Sequence, residues 1–488
     1  MTVTAARPSV GIALLWGLSG TIVLRLGTLA VGVVLARWLG PSDYAVVAVA
    51  LTVSTVVMAV SDLGLAAGLV RSAEPEEDAP TVATVGLAAG LVLGATTIAL
   101  AGPIDRLFGV AGSAAVVSVI ALAIPVGAAG IVPFAFLQRD FRQREVVAAA
   151  AVDLVVSTTV TLGLLFLGWG PMALAVGRVA AQAAATVTQF RLAGRRPVFG
   201  FASSRVGPAV RFGMPIAAAN LLSWTVIVVD NAIVSSVAGG VALAFYVVAF
   251  NVSSWPMTAI GQGVRAVALP WFVGAVDTRG GSGDTSLARA GVASVAAAVW
   301  AGGLLALLAS SVLEVLYGPA WAEAERALTV LALFGILRVV FDLIATYLTA
   351  RGAAGSVMAV QVLWLCALVP AALLGAVTFG IVGVAAAHVV VGALVVLPAY
   401  LRSARRCGAD IRAFCRGCIA LCVAGLLSAV PVLMVASATT NPWARLLAGG
   451  AAGTALYAAM VVPGVRRAVR SPSPTAGPPR REESTDER

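Results

Sequence analysis

Several ionisable side chains stand inside long apolar runs: Arg25, Asp62, Asp153, Arg178, Asp230, Arg265, Arg338, Asp342 and His388. A charge within a membrane helix is costly and usually faces a cavity or a partner, so each is a functional candidate. Arg338 and Asp342 lie four apart, on one helical face, where a structural ion pair is expected. His388 either titrates near neutral pH or is a hydrogen-bonded packing histidine. Asp62, Asp230, Asp153 and His388 are candidates for ion coupling or for latching. Arg25, Arg265 and Arg178 are candidates for contact with cargo.

Other patterns carry less chemistry. Gly261-Gln-Gly-Val-Arg-Ala266 matches G-x-G-x-x-A but lies within an apolar helix, with no strand before it. Asn251-Val-Ser253 is a sequon within that same helix. Cys415-Arg-Gly-Cys418 continues to Cys422 along one helical stripe, but a chain with one histidine has few ligands for zinc. Those cysteines read as small apolar residues, and neither metal nor cofactor is expected. The chain has no lysine, hence no G-x-x-x-x-G-K-[ST] loop for nucleotide phosphates.

The elements that must position these residues follow from composition. Hydrophobic residues make up 60% of the 488 and charged residues 11%, with mean hydropathy +0.99. A soluble domain carries roughly 25% charged residues, so this chain lacks the charges for a water-exposed surface. Its apolar runs approach the ~20 residues that an α-helix needs to cross a bilayer. They do not alternate, which excludes a β-barrel. The sequence predicts an all-α polytopic membrane protein of about 14 transmembrane helices. These are placed at roughly 11–36, 44–70, 81–103, 110–137, 146–168, 171–190, 211–237, 241–271, 287–313, 323–350, 354–378, 380–402, 412–436 and 442–463. A re-entrant hairpin at 168–171 or 378–380 would change that count. The first run is too long for a signal peptide and reads as a retained helix.

The net charge of +10 suggests nucleic acid, but its distribution argues against that partner. The arginines sit in short loops, as the positive-inside bias places them. With the N-terminus inside, Arg139/Arg142/Arg144, Arg191/Arg195/Arg196/Arg205 and Arg402/Arg405/Arg406/Arg412 fall on the cytoplasmic side. The acidic loop Glu74-Pro-Glu-Glu-Asp78 falls there too, and both termini are expected in the cytoplasm. The tail from Ser471, rich in Ser, Pro and mixed charge, is expected to be disordered.

An internal repeat organises the helices. Residues 35–54, LARWLGPSDYAVVAVALTVS, resemble 233–253, IVSSVAGGVALAFYVVAFNVS, each with a Gly-marked turn and then a Tyr. The offset is about 200 residues and six helices, which makes the repeats parallel. The reading is an N-lobe of helices 1–6 (residues 1–205), a C-lobe of helices 7–12 (206–403), helices 13–14 (404–463) and a tail (464–488). Asp62 and Arg265 take nearly equivalent places in the two repeats, so they could form an inter-lobe latch or a proton-sensitive switch.

Five stretches carry a family resemblance. VLARWLGPSDYAVVAVALTVSTVVMAVSDLGLAAGLVR (34–71) resembles the opening of Wzx-type polysaccharide flippases, in the multidrug/oligosaccharidyl-lipid/polysaccharide superfamily. Gln138-Arg-Asp-Phe-Arg142 is similar to that family's cytoplasmic loop. FGMPIAAANLLSWTVIVVDNAIVSSVAG (212–239, with Asp230), YVVAFNVSSWPMTAIGQGVRAVALPWF (246–272) and LYGPAWAEAERALTVLALFGILR (316–338) continue it. The resemblance implies two lobes in a V around a cavity that opens alternately to either side. It implies a glycan on a polyprenyl pyrophosphate as cargo.

Related flippases have cationic residues in helices one and eight, where Arg25 and Arg265 stand. A low dielectric strengthens the attraction of guanidinium for pyrophosphate, so these two could grip the head group together. Neutralisation by Asp62 or Asp230, tying helices together, is the alternative. The expected function is a lipid-linked oligosaccharide or polysaccharide flippase of the bacterial cytoplasmic membrane, without covalent chemistry. Its expected partners are membrane lipids, the lipid-linked glycan, and a polymerase or glycosyltransferases. A cation-coupled multidrug antiporter is the alternative, and a non-transporting scaffold for glycan assembly a third. Extra helices 13 and 14 favour the flippase, since they could offer a groove to the polyprenyl tail.

Overall fold

The computed structural model describes residues 10–61, 64–276 and 284–470; Asp62 lies outside them, as do the side chains of Arg25 and Arg265. The chain is all-α. In order, the helices are α1 (Val10–Ser61), α2 (Leu65–Arg71), α3 (Pro75–Phe108), α4 (Ser113–Ala121), α5 (Ala123–Ala129), α6 (Ile131–Arg139) and α7 (Gln143–Phe166). Then come α8 (Met172–Ala193), α9 (Ser203–Ala238), α10 (Gly240–Val276), α11 (Ser286–Leu307) and α12 (Ala309–Leu316). A 3₁₀ turn, Pro319–Ala324, leads into α13 (Glu325–Ala350), α14 (Ala354–Val391), α15 (Leu397–Arg406), α16 (Ile411–Ala438), the single turn α17 (Pro442–Ala444) and α18 (Gly450–Arg470).

Among the described residues, nine helices are long and apolar enough to cross a membrane, or ten with the bent pair Ser113–Ala129 and Ile131–Arg139 taken as one span. Two of these long helices are continuous only in hydrogen bonding. A straight helix as long as α1 would reach roughly 78 Å, far beyond a hydrocarbon core of roughly 30 Å. It turns at Gly40, whose φ of 71° is left-handed. In α14 the turn is at Gly380, with φ 58°. Around that second turn the backbone of Gly375 lies against that of Gly383, so closely that a methyl group on either would overlap the other's carbonyl. Only paired glycines allow the approach.

Large apolar side chains face outward along these helices: Val155, Leu374, Val377, Leu394, Leu426 and Met434 are all more than 60% exposed. Apolar surface on that scale fits lipid and not water.

The chain packs as two compact units. The first holds residues 1–250, 313–327 and 369–387. Within it α7 packs along α8, and α3 along α4 and α5. The glycine stripe Gly86, Gly90 and Gly94 lets α3 approach Ile131, Ala128 and Pro125. The second holds 251–312, 328–368 and 388–488, in which α11, α16 and α18 pack together. There the Tyr457 hydroxyl donates to the Ala296 carbonyl at 3.0 Å and the Trp300 indole to Thr454 Oγ1 at 3.1 Å.

Candidate functional site

Asp153 on α7 and Arg178 on α8 are partners. Nη1 of Arg178 lies 3.2 Å from Oδ2 of Asp153, both side chains partly exposed. Each makes the other tolerable in an apolar span, because removing either would leave one charge uncompensated. Sequence reasoning had treated them as separate candidates.

Asp230 is fully buried near the end of α9. Its Oδ2 accepts the hydroxyl of Tyr246, also fully buried, at 2.5 Å, and its Oδ1 accepts the Asn231 N–H at 3.0 Å. Asn231 Nδ2 donates in turn to Thr52 Oγ1 on α1 at 2.9 Å. The network therefore couples the helix ends on either side of Gly239 to the second half of α1. Three glycine turns here share one backbone conformation, Gly318 at φ/ψ 95°/174° being the third. Gly40 and Gly239 have the same unusual backbone, φ/ψ 71°/173° and 91°/169°, and the tyrosines that follow, Tyr44 and Tyr246, are both buried.

The same end of the first unit contains an aromatic knot. Trp321, 1% exposed, meets Tyr44 edge-on at 5.4 Å between centroids and Phe245 edge-on at 5.8 Å, with Tyr317 at 5.9 Å. Edge-to-face pairs at these spacings are favourable beyond their buried area. Arg37 Nη1 reaches across to the Val315 carbonyl at 3.1 Å, and Ser235 Oγ donates to the carbonyl of Phe108. The turns at Gly40, Gly109, Gly239 and Gly318 are thus closed over one another. Sequence reasoning missed Trp321, since Gly318-Pro319-Ala-Trp321 reads as a loop.

The opposite ends of α2, α3 and α8 carry charge instead. Arg139 Nη1 donates to the carbonyls of Val70 at 2.9 Å and Ser72 at 2.7 Å, satisfying the open end of α2. Arg195 grips Glu76 through two 2.5 Å bonds. Arg205 binds Asp78 at 2.6 Å, Glu74 at 3.1 Å and also Glu77. A cavity of about 530 Å³ opens beside this cluster, lined by Leu65, Leu69, Arg71, Glu74, Asp78 and Arg205 among others. The acidic run 74–78 and the basic run 191–205 were both visible in the sequence; their pairing across more than a hundred residues was not.

A charged cluster in the second unit centres on Asp284, before α11. Its N–H donates to the Gly408 carbonyl at 3.1 Å, and its carbonyl accepts the Asp410 N–H at 2.9 Å. Its carboxylate accepts from Ser286 N–H at 2.8 Å, from Tyr347 Oη at 3.0 Å and from Arg351. Burial alone would raise the pKa of Asp284; the Ser286 bonds, the Tyr347 hydroxyl and the Arg351 charge outweigh it and hold the carboxyl below its ordinary value. In the first unit Gly200 N–H donates to the Pro80 carbonyl at 3.3 Å. In each unit, then, the start of a long helix is tied to a segment distant in sequence: Pro80 of α3 to the segment after α8, and Asp284, just before α11, to the turn after α15.

Two further predicted residues, Arg338 and His388, belong to the second unit. Arg338 Nη1 donates to Ser254 Oγ at 3.3 Å. His388 is buried, its ring 4.7 Å from that of Phe334.

Comparison with known proteins adds the following. The family model described as "Polysaccharide biosynthesis protein" matches residues 34–326. The succinoglycan biosynthesis transport protein ExoT of Rhizobium meliloti (strain 1021) is 24% identical over 318 residues, 64% of this chain and 63% of that one. The match therefore spans less than two thirds of that relative. Among solved structures, the lipid II flippase MurJ in an inward closed conformation is similar over 94% of this chain and 100% of its own, with TM-score 0.79 and 14% identity. An inward-facing multidrug resistance MATE family transporter is similar over 79% and 98%, with TM-score 0.60 and 17% identity.

Proposed function

We propose that this chain, which belongs to the polysaccharide biosynthesis protein family, moves a lipid-linked oligosaccharide or polysaccharide repeat unit across the bacterial cytoplasmic membrane by alternating access. The family match over residues 34–326 carries the reading. The succinoglycan transport relative supports polysaccharide as the cargo class, and the likeness to the lipid II flippase supports the fold that such transport needs. No bond in the cargo is made or broken. The cargo is a glycan on polyprenyl pyrophosphate, handed on to a polymerase or to glycosyltransferases outside, and both termini stay in the cytoplasm.

The lobes of the proposal are residues 1–205 and 206–403, followed by helices 13–14 and the tail. The aromatic knot around Trp321 closes one end of the translocation path and must part for cargo to leave there. Arg25 and Arg265 grip the pyrophosphate. Asp62 and Asp230 serve as latch or ion-coupling sites, and Asp153 with Arg178 braces α7 against α8. Arg338 and Asp342 pair within α13, and His388 packs.

The MATE likeness favours a second reading, a cation-coupled multidrug antiporter. One experiment separates the two. The gene is deleted and lipid-linked glycans are quantified in each leaflet by extraction and mass spectrometry, with complementation by wild type or by Arg25→Ala/Arg265→Ala. Build-up of one lipid-linked species on the cytoplasmic side, uncorrected by the double variant, is expected. Normal lipid-linked pools in drug-sensitive cells would overturn the flippase reading in favour of the antiporter.

A further inference from the structure

The segment between α8 and α9 carries exposed apolar side chains to which the transport proposal gives no role. Val198, Phe199 and Phe201 are 59, 54 and 69% exposed. Yet the segment is firmly held. Gly200 N–H donates to Thr84 Oγ1 at 3.1 Å as well as to Pro80, and Ala202 N–H donates to Thr81 Oγ1 at 3.3 Å. Alternate N–H groups bound on one side have the two-residue period of an extended chain, which puts Phe199 and Phe201 on a common face. Arg195 on Glu76 and Arg205 on Asp78 pin the two ends of this strap.

Its depth follows from α3. The uncharged run from Ala79 to Ile104 is roughly 39 Å long at 1.5 Å per residue. A hydrocarbon core of roughly 30 Å leaves about three residues over at each end. Thr81 and Thr84, the residues that hold the strap, therefore stand at the boundary between hydrocarbon and head groups. Arg191 and Arg196 are exposed just before the apolar residues. The neighbouring turn after α6 has the same character, with Phe141 70% exposed at φ 56° and Arg144 exposed beyond it. The Arg195 guanidinium, 3.3 Å over the Phe136 ring of α6, sets turn and strap side by side.

We propose that the strap is an interfacial anchor for anionic phospholipid. Phe199 and Phe201 sink into the boundary layer while Arg191 and Arg196 bind lipid phosphates. Charge complementarity and depth together select this occupant: exposed aromatic rings at the hydrocarbon edge, with guanidinium groups at head-group level, match a negatively charged leaflet. The anchor would hold α8 and the first turns of α9 at a constant depth. It depends on the chain being a multi-pass membrane protein and is independent of the cargo.

The test is a spin label at Phe201→Cys, in the full chain with its five native cysteines replaced, reconstituted in vesicles of three parts phosphatidylcholine to one part phosphatidylglycerol. Collision with oxygen reports lipid and collision with a nickel chelate reports water. The expected oxygen-to-nickel ratio is several-fold higher than for a label at Arg406→Cys, an exposed position at the end of α15. Pure phosphatidylcholine vesicles, or Arg191→Gln/Arg196→Gln, should lower it at least twofold. A label as open to nickel as the one at position 406 would overturn the proposal. So would a label shielded from both reagents, which would mean cover by protein or by a second copy. A high ratio indifferent to lipid charge and to both arginines would overturn the phosphate contacts.

Discussion

Replacing Trp321 with alanine removes the centre of the knot without touching the charged candidates. Two edge-to-face contacts are lost, to Tyr44 and Phe245. At about 0.5–1.5 kcal/mol each, they contribute about 1–3 kcal/mol to the closed arrangement. If the knot parts when that end opens, the variant shifts the closed-to-open ratio by about 5- to 150-fold, at tenfold per 1.4 kcal/mol. Hydrogen–deuterium exchange of the protein in lipid nanodiscs reads this directly. Peptides covering 40–50 and 315–327 should exchange faster by that factor in Trp321→Ala, and by less in Trp321→Phe, which keeps a ring. Exchange in α11, within the other unit, should not change. Less than twofold acceleration in a folded, monodisperse variant would refute the idea that these contacts hold the end shut. Acceleration everywhere would mean general destabilisation and would refute it too.

Other perturbations test other parts of the molecule. Arg178→Ala strands the Asp153 carboxylate at a cost of roughly 2–3 kcal/mol, so yield and melting temperature should fall. Asp153→Asn/Arg178→Gln should restore both, and transport with them if the pair is only a brace; restored folding without transport would assign Arg178 to the cargo. Gly383→Ala places a methyl group on the Gly375 carbonyl, and the forced separation of the two helices should lower the melting temperature by an overpacking cost of about 1–3 kcal/mol. Because the folded pKa of Asp284 is depressed, its stabilisation is fully present above the unfolded value of about 3.9 and is lost as pH falls through the lower folded value. Melting temperatures of the wild type should therefore decline more steeply below pH 4 than those of Asp284→Asn, and parallel curves would contradict that assignment.

The sequence revealed what depends on local chemistry. Gly40 marked a turn, and the turn is present, because only glycine takes left-handed angles cheaply; the uncertain break at 378–380 is likewise a turn, made at Gly380. The likeness of 35–54 to 233–253 lay in a Gly-then-Tyr spacing; Gly40 and Gly239 share a backbone conformation, but Gly318 has it too, so it belongs to these tight turns and not to the likeness alone. The lipid-facing runs could be read because bilayer thickness dictates their length. What could not be read is partner choice over distance. Arg205 has three arginine competitors in its own segment, Arg191, Arg195 and Arg196, and nothing local says that it, and not Arg196, meets Asp78. Asp153 and Arg178 stood in successive spans, but their meeting depends on how α7 and α8 rotate about their axes. Trp321 could not be found at all, since a short Gly-Pro turn becomes a core only after other helix ends close over it.

The hairpin at Gly380 bears on how this protein enters its membrane. From Gly352 to Ala387 no residue carries a charge, and the tip residues Val377, Thr378 and Phe379 are exposed and largely apolar. Such a pair of spans offers insertion machinery no internal signal for which way to face. Its backbones touch at Gly375 and Gly383, so the two spans can enter lipid together as a preassembled unit, with little polar surface to drag across. Orientation is then inherited from the arginines on either side, Arg351 before it and Arg402 after. Moving a single positive charge into the tip would give the hairpin a signal of its own, in competition with those flanks.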